Sequence, residues 1–373
     1  MGDLGCALPR RLGDADIGDA DHTTRTQFRM TMLARAAFVA AALSVAMVPV
    51  RAQARPAGTV IVSNMNDNTA MIVDVAAGRV IATLPTGEGP HEVAVSHDGR
   101  WAVVSNYGIR GKPGSSLTVI DITQRRVART IDLTPYQRPH GMAFFPGDSV
   151  LAVTSEASKA VLLVDLRTDK VNGTLPTTGR ASHMVGMSRA GDRLVTGNIA
   201  DSTVSVLDPR HAGDVHVIHV AAQPEGIALS PDGSTVWAGS NRDSVVVVAD
   251  VGRAQPIDTL RGFGLPYRLA FSPDGAVVVI SDPVRANVRV FDAATRRERF
   301  SIAIPRDSLV ATAEIPGSPS PEGVTVSSDS RWAFLTLQGR NRLATIDLAR
   351  GVIISLIPIG NWSDGVGYSR LTP

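Results

Sequence analysis

The stretch EGIALSPDGSTVWAGSNRDSVVVVADVGRAQPIDTL, residues 225–260, contains four short runs rich in β-branched and apolar residues. We predict strands at GIALS (226–230), TVWAGS (235–240), SVVVVAD (244–250) and PIDTL (256–260). The Pro-Asp-Gly between the first two runs is typical of a tight turn. Four short strands joined in this way form one antiparallel sheet, which is the unit of a β-propeller blade.

The third strand of this unit ends in aspartate, and the same ending recurs along the chain. The recurring aspartates are Asp74, Asp121, Asp165, Asp208, Asp250, Asp292 and Asp347. Their spacings of 47, 44, 43, 42, 42 and 55 residues fit propeller blades, and no window after residue 54 has a helical period. We interpret each aspartate as a structural cap on the turn into the fourth strand. The sequence therefore predicts an all-β, seven-bladed propeller.

The order of strands at the two ends of the array predicts how the ring closes. The array begins with a second strand, GTVIVSN (58–64), and ends with a first strand, SDGVGYS (363–369). Each end supplies the strand that the other lacks. We expect the N-terminal and C-terminal strands to pair in one blade, so that residues 55–373 form a single propeller domain without an open sheet edge.

Residues 1–54 are predicted to be an N-terminal extension with a signal peptide. The 15 apolar residues 36–50 follow Arg35 and precede Ala-Gln-Ala, which is the order of a secretory signal and its cleavage site. We expect cleavage after Ala54 and a periplasmic or secreted product without a membrane span. An uncleaved membrane anchor is the alternative, although 15 residues are fewer than the roughly 20 that a spanning helix needs.

Composition and charge narrow the class of partner. The chain has 37 lysines and arginines against 35 aspartates and glutamates, and only 5% of its residues are aromatic. This balance gives no field that would attract nucleic acid or an anionic membrane. The single cysteine, Cys6, lies in the predicted extension. Phosphate-binding loops and the Gly-x-Ser-x-Gly motif are absent from the sequence. We expect a monomer that binds a small molecule, a peptide or a protein.

Four pieces of the chain resemble a known repeat. VVSN (103–106), VTGN (195–198), TVSVLD (203–208) and ALSPDG (228–233) are similar to the repeats of the YVTN (YncE-like) seven-bladed propellers. The resemblance covers residues 57–369. It implies a seven-bladed propeller fold and a protein that is exported or associated with the cell surface. It does not imply an activity, because this architecture hosts binding proteins, lactonases, lyases and electron-transfer enzymes.

The start of each first strand is expected to lie at one mouth of the central channel, because the first strand of a blade is the innermost. These positions are His91, His140, His183, Glu225, Tyr267, Glu322 and Asp364. None is apolar, so we predict a ligand-binding channel mouth. The ends of the second strands reach the same face and form a second polar ring, at Asn64, Asn106, Glu156, Asn198, Asn241, Asp282 and Gln338. Of these, Asn106, Asn198 and Asn241 are candidate ligand contacts, although asparagine also closes turns.

Two connections are longer than the repeat requires, at 107–116 and 305–323. Both are expected to border the channel mouth as loops. Connections that exceed the structural minimum are often functional.

Three functions fit this arrangement. In the first, the propeller binds a ligand or partner at the polar mouth without chemistry. In the second, His91, His140 and His183 with Glu225 hold a divalent metal ion, and the protein is a lactonase-like hydrolase or a lyase. Glu225, Glu322 and Asp364 are then candidates for the acid or base. In the third, the protein has a structural or surface-layer role. Against the second function, Pro-His-Gly is a natural variant of the family's Pro-x-Gly, so duplication could spread histidines without chemistry.

Overall fold

A computed structural model describes residues 55–311 and 315–373 of the chain. The predicted N-terminal extension, with its signal peptide, lies outside the described residues, which begin at Arg55, the expected first residue of the mature chain. The described residues form 28 β-strands and one short 3-10 helix, Gln338–Arg340. No helix among them is long and apolar enough to cross a membrane.

The strands form seven antiparallel sheets of four strands, which we number as blades 1 to 7. They are β1 (Thr59–Asn64), β2 (Thr69–Asp74) and β3 (Arg79–Pro85) in blade 1; β4 (Pro90–Val95), β5 (Trp101–Ile109), β6 (Lys112–Asp121) and β7 (Arg126–Asp132) in blade 2; β8 (Pro139–Phe144), β9 (Val150–Ser155), β10 (Ala160–Asp165) and β11 (Lys170–Pro176) in blade 3; β12 (Ser182–Met187), β13 (Leu194–Asn198), β14 (Thr203–Leu207) and β15 (Val215–His219) in blade 4; β16 (Pro224–Leu229), β17 (Thr235–Ser240), β18 (Val245–Asp250) and β19 (Gln255–Leu260) in blade 5; β20 (Leu269–Phe271), β21 (Val277–Asp282), β22 (Asn287–Asp292) and β23 (Glu298–Ala303) in blade 6; β24 (Pro321–Val326), β25 (Trp332–Leu337), β26 (Arg342–Asp347) and β27 (Val352–Pro358) in blade 7; and β28 (Ser363–Ser369), which returns to blade 1.

The ring closes in blade 1, as the order of strands predicts. β1 pairs with β2 on one side and with β28 on the other, with Thr59 opposite Ser369 and Val62 opposite Val366. The first strand of every blade contacts the first strands of both neighbouring blades. The prediction of seven blades closed by the two ends of the array is therefore confirmed.

The seven recurrent aspartates cap turns. The carboxylate of each accepts a hydrogen bond from a backbone N–H two or three residues further on, as Asp74 does from Ala77 at 2.9 Å and Asp250 from Arg253 at 2.8 Å. This bond fixes the turn from the third to the fourth strand, so the motif belongs to the scaffold.

Glycine at the third position of some first strands lets neighbouring blades approach closely. A Cβ atom at Gly226 would lie 2.1 Å from the backbone oxygen of Tyr267 in blade 6. A Cβ atom at Gly365 would lie 2.3 Å from the backbone oxygen of His91 in blade 2. Side chains at these positions would push the inner strands apart, so the glycines set the spacing of the ring residues that precede them.

The connection at 107–116 differs from the predicted loop. β5 continues to Ile109 and β6 begins at Lys112, so the insertion is a projecting β-hairpin. Gly108 is paired with Pro113 in this extension. A hairpin holds its side chains in a fixed register, and Tyr107 at its base is consequently held over the channel mouth.

Candidate functional site

The first strands bring the predicted ring residues together at the channel mouth. Six of the seven are the second residue of their strand, and Tyr267 precedes β20, which is only three residues long. Hydroxyl groups on the second strands fix the ring from the neighbouring blade. Ser281 donates to the backbone oxygen of Glu322 at 2.7 Å, and Thr336 donates to that of Asp364 at 2.8 Å. These two ring residues are therefore held through their backbone oxygens by the preceding blade.

Three imidazole rings pack side by side at the channel mouth, tilted by 49° and 34° to one another. The centroid of His140 lies 4.3 Å from that of His91 and 3.6 Å from that of His183. The ring of Tyr107 meets His91 and His140 edge-on, at 5.3 and 5.4 Å between centroids. We call His91, His140 and His183 the histidine arc.

The two outer histidines of the arc are ion-paired. His91 Nδ1 lies 2.6 Å from Asp364 Oδ2, and His183 Nε2 lies 2.6 Å from Glu225 Oε1. The other nitrogen of His183, Nδ1, is bonded to Glu156, whose second oxygen accepts a hydrogen bond from Tyr107 at 2.5 Å. His183 is buried, the side chain of His91 is 13% exposed, and each imidazole has a carboxylate partner.

The carboxylates control the protonation of the outer histidines. Burial by itself lowers the pKa of His183, but Glu225 and Glu156 outweigh it and raise that pKa to about 9. Burial is likewise outweighed by Asp364 at His91, where the pKa is also raised. The pKa of Glu225 is lowered, because His183 and Arg268 outweigh the effect of its burial. The outer histidines are thus favoured as cations and their partners as anions.

The central histidine has the opposite environment. His140 has 0% exposed surface, and within the described ranges neither of its ring nitrogens has a hydrogen-bond partner. Burial and the positive charges of His183, His91 and Arg268 hold its pKa well below the ordinary value of 6.5. His140 is therefore a neutral imidazole with two unused nitrogen atoms.

Below the arc, a buried guanidinium spans the channel. Arg268 Nε and Nη2 donate to Glu92 Oε1 at 3.0 and 2.8 Å, and Nη1 donates to Glu225 Oε1 at 3.0 Å. Arg268 belongs to the first-strand segment of blade 6 and Glu92 to β4 of blade 2, and these blades are not neighbours. Their bond consequently crosses the central channel.

The cluster carries an excess of negative charge. Four carboxylates contact the histidine arc or Arg268, namely those of Glu92, Glu156, Glu225 and Asp364. Against them stands the single guanidinium, which leaves three uncompensated negative charges when the imidazoles are neutral. Protonation of His91 and His183 reduces this excess to one. Such a site favours a cation over an anion.

Two overlapping groups of side chains could hold a metal ion. One consists of His91, Glu92 and His140, and the other of His140, Glu156 and His183, with ligand atoms within 4.8 Å of one another in each group. His140 belongs to both. Glu225, the carboxylate predicted from the sequence for this role, instead lies between His183 and Arg268.

Two candidate ligand contacts of the second ring close turns. Asn106 accepts a hydrogen bond from Gly87 N–H at 3.0 Å and donates to Ser116 Oγ at 2.9 Å. Asn198 accepts from Ser182 Oγ at 2.9 Å. Both asparagines are buried, with their side chains bonded within their own or the adjoining turn. Their role in this structure is to hold the strand ends.

The remaining predicted residues surround the cluster. Glu322 is buried and accepts a hydrogen bond from Gln338 Nε2 at 3.2 Å. The ring of Tyr267 stacks against the guanidinium of Arg268 at 4.2 Å. Asn241 is half-buried at the end of blade 5, where its backbone N–H donates to Gln223.

Sequence reasoning missed four residues of the cluster, or missed their roles. Glu92 and Arg268 take the position after the ring residue, where blades 3, 5, 7 and 1 have glycine. Charged residues in place of that glycine were the available signal. Tyr107 is the first residue of the inserted hairpin, and Glu156 was recognised only as a member of the second ring. Their roles depend on contacts across the channel, and the spacing of residues along the sequence does not show such contacts.

A cleft of about 730 Å³ opens on the opposite face, among the turns between first and second strands. Its aspartates Asp232 and Asp274 accept hydrogen bonds from Ser230 and Ser272, at 2.5 and 2.6 Å. No histidine lines this cleft. Its polar groups stabilise turns, so the histidine arc remains the better candidate for a site.

Comparison with known proteins agrees with the fold. The model of the YNCE-like beta-propeller family matches residues 152–353, and that of the lactonase family with a 7-bladed beta-propeller matches residues 57–188. No curated protein matches the chain.

Two solved structures are similar in fold. A functionally unknown protein from Desulfotomaculum acetoxidans has a TM-score of 0.68 and 13% identity, over 84% of this chain and 99% of that one. Hydrazine synthase of Kuenenia stuttgartiensis has a TM-score of 0.62 and 17% identity, over 76% of this chain and 90% of that one. At these identities the likeness concerns the fold alone.

Proposed function

This chain belongs to the YNCE-like beta-propeller family, and we propose that it binds a divalent transition-metal cation at the channel mouth. The observation that carries the proposal is the pair of unused nitrogens on the fully buried His140. A buried polar group without a partner costs about 1–3 kcal/mol. A cation bound to His140 would offset that cost.

The neighbours of His140 suit such a cation. His91 and Glu92 on one side, and Glu156 and His183 on the other, complete a set of three ligands with it. Imidazole nitrogen and carboxylate oxygen are ligands of zinc, and imidazole also suits copper and nickel. His140 is neutral and can ligate a metal directly, whereas His91 and His183 would each release a proton on ligation. Imidazole ligands favour these metals over calcium and magnesium, which prefer oxygen ligands.

Charge argues against an anionic ligand at this position. The carboxylates that contact the arc and Arg268 outnumber the single guanidinium, which is itself bonded to Glu92 and Glu225. An anion would meet this excess without a free positive group in the cluster. A metal ion would reduce it.

A second candidate function is metal-dependent hydrolysis. The match to the lactonase model spans residues 57–188, and this range contains all three histidines of the arc. A cation with an open position lowers the pKa of bound water and so supplies a nucleophile. Glu225 and Asp364 each lie 2.6 Å from an imidazole nitrogen, so a proton taken up by that imidazole would be stabilised by its carboxylate partner.

The experiment is metal analysis of the full chain, purified without a histidine tag. The protein is supplied separately with zinc, copper, nickel and calcium, dialysed, and analysed for bound metal by mass spectrometry. We expect stoichiometric retention of a transition metal and none of calcium. The matched variants are His140→Ala, which should lose the metal, and His219→Ala, an exposed histidine on β15 that should retain it.

Two results would overturn the proposal. One is a native protein that retains none of the supplied metals. The other is a folded His140→Ala variant that retains as much metal as the native protein. Hydrolysis of simple esters and lactones by the metal-loaded protein, absent from the metal-free protein, distinguishes the second candidate from binding alone.

A further inference from the structure

The bond between Arg268 and Glu92 marks a departure from the repeat. The residue after the ring position is glycine in blades 3, 5, 7 and 1, at Gly141, Gly226, Gly323 and Gly365. Blades 2 and 6 have charged residues of opposite sign there, and these two meet across the channel at 2.8 Å. The guanidinium of Arg268 in blade 6 thereby pairs with carboxylates of blades 2 and 5.

The guanidinium of Arg268 is fixed in place. Its residue has 4% exposed surface, and its backbone N–H donates to Ser281 Oγ at 3.0 Å. The ring of Tyr267 covers one face of it at 4.2 Å, a distance at which an aromatic face attracts a cation. Arg268 is thus a built-in positive group at the centre of an acidic site.

We propose that Arg268 is an internal counter-cation that decides which metal ions the channel mouth accepts. This inference rests on the proposed function, because it concerns the selectivity of the same site. Arg268 does not ligate the metal. It acts in two ways. It forms ion pairs with the carboxylates of Glu92 and Glu225, and it adds a positive charge to the site.

The physical reason lies in what different cations require. Calcium and its analogues bind only oxygen ligands and need several of them. Arg268 occupies Oε1 of both Glu92 and Glu225, and it cancels part of the negative charge that attracts such ions. Transition metals bind imidazole as well, and the nitrogens of His140 are not engaged by Arg268. The guanidinium therefore penalises hard cations more than it penalises zinc.

The test compares a hard and a borderline cation on the full-length protein. Terbium(III) is the hard probe, since its luminescence is excited through nearby tyrosine rings, and Tyr107 and Tyr267 border the site. Zinc binding is measured by calorimetry on the same samples. Calcium is added as a competitor of terbium to confirm that both occupy one site.

In wild-type protein we expect tight zinc binding and weak terbium binding, with little sensitised terbium emission. Arg268→Met should gain terbium and calcium binding, with affinity raised on the order of tenfold or more, because a nearby positive charge has been removed. Zinc affinity should change by less. Arg268→Lys keeps the positive charge and should retain the wild-type preference for zinc over terbium. A purely structural role of Arg268 would not predict this.

Arg340→Met is the matched control. Arg340 is also buried, with 5% exposed surface, and it is paired with Asp307 at 3.1 Å outside the cluster. Its loss should affect stability and leave the preference for zinc over terbium unchanged. Circular dichroism checks that each variant is folded, and Arg268→Gln serves as the second neutral variant if Arg268→Met does not fold.

The outcomes separate the two proposals. Wild-type protein that binds no zinc contradicts the proposed function, whatever the variants do. Wild-type protein that binds zinc, together with folded neutral variants whose terbium and calcium affinities are unchanged, contradicts the role of Arg268. An equal change in the Arg340→Met control would also contradict it, since the effect would then follow from loss of any buried arginine.

Discussion

Replacing His140 by leucine is expected to stabilise the metal-free protein while abolishing metal binding. His140 is fully buried, and in the described structure both ring nitrogens lack hydrogen-bond partners. Leucine fills a similar volume and has no polar group to satisfy. A residue kept for its packing alone would show the opposite result, because its replacement would lower stability.

The magnitude follows from two opposing effects. Each buried group left without a partner costs about 1–3 kcal/mol, and the neutral imidazole has one such donor and one such acceptor. Leucine loses the ring contacts with His91 and His183, at about 0.5–1.5 kcal/mol per aromatic pair. We therefore expect the free energy of unfolding of the metal-free protein to rise by about 1–3 kcal/mol.

The difference should grow in acid. In wild-type protein the pKa of His140 lies well below 6.5 in the folded state, because of its burial and its positively charged neighbours. The unfolded chain therefore takes up a proton that the folded chain does not, and wild-type stability falls as the pH drops below 6.5. His140→Leu has no such group, so this part of the acid sensitivity disappears.

The assay is urea denaturation in the presence of a chelator, followed by tryptophan fluorescence at pH 7.5 and pH 5.5. The midpoint should move to higher urea without a change in slope. His219→Leu, at an exposed position on β15, should leave the midpoint unchanged. A His140→Leu variant less stable than wild type at both pH values would refute the reasoning, since His140 would then be a well-satisfied core residue.

Three further predictions concern the outer histidine, the closure of the ring and export. The pKa of His183 is raised to about 9, so its contribution to stability, on the order of 3 kcal/mol, is complete below pH 6.5 and is lost as the pH rises through 9. Urea midpoints measured from pH 6 to 10 should show this fall. The His183→Asn variant should not show it. Gly365→Val places a Cβ atom 2.3 Å from the backbone oxygen of His91, so we expect blades 1 and 2 to separate and stability to fall by more than about 3 kcal/mol. An unchanged thermal midpoint would contradict the close packing of the strand that closes the ring against blade 2. Export with cleavage after Ala54 predicts an N-terminal sequence that begins at Arg55 in periplasmic or secreted material, and full-length protein confined to the cytoplasm would contradict it.

The fold was open to prediction because its signals are local and repeated. The strand runs of residues 225–260 agree with β16 to β19 to within two residues at either end. The aspartates that end the third strands make bonds to backbone atoms only two or three residues away, so their role depends on nothing distant. The short length of β20, three residues, was not predicted, and Tyr267 and Arg268 before it still bond to Ser281 of the neighbouring strand β21.

By itself, the sequence determined the seven blades, their closure and the residues that begin the first strands, because short-range turn chemistry and a regular period specify each of these. Only the tertiary structure decided which members of that set act together. It placed Glu156 rather than Glu225 beside His140 and His183 in a group that could hold a metal ion, and it joined Arg268 to Glu92 across the channel. Residues 176 positions apart meet there because opposite blades face a common axis, and no pattern along the chain records which side chain faces which.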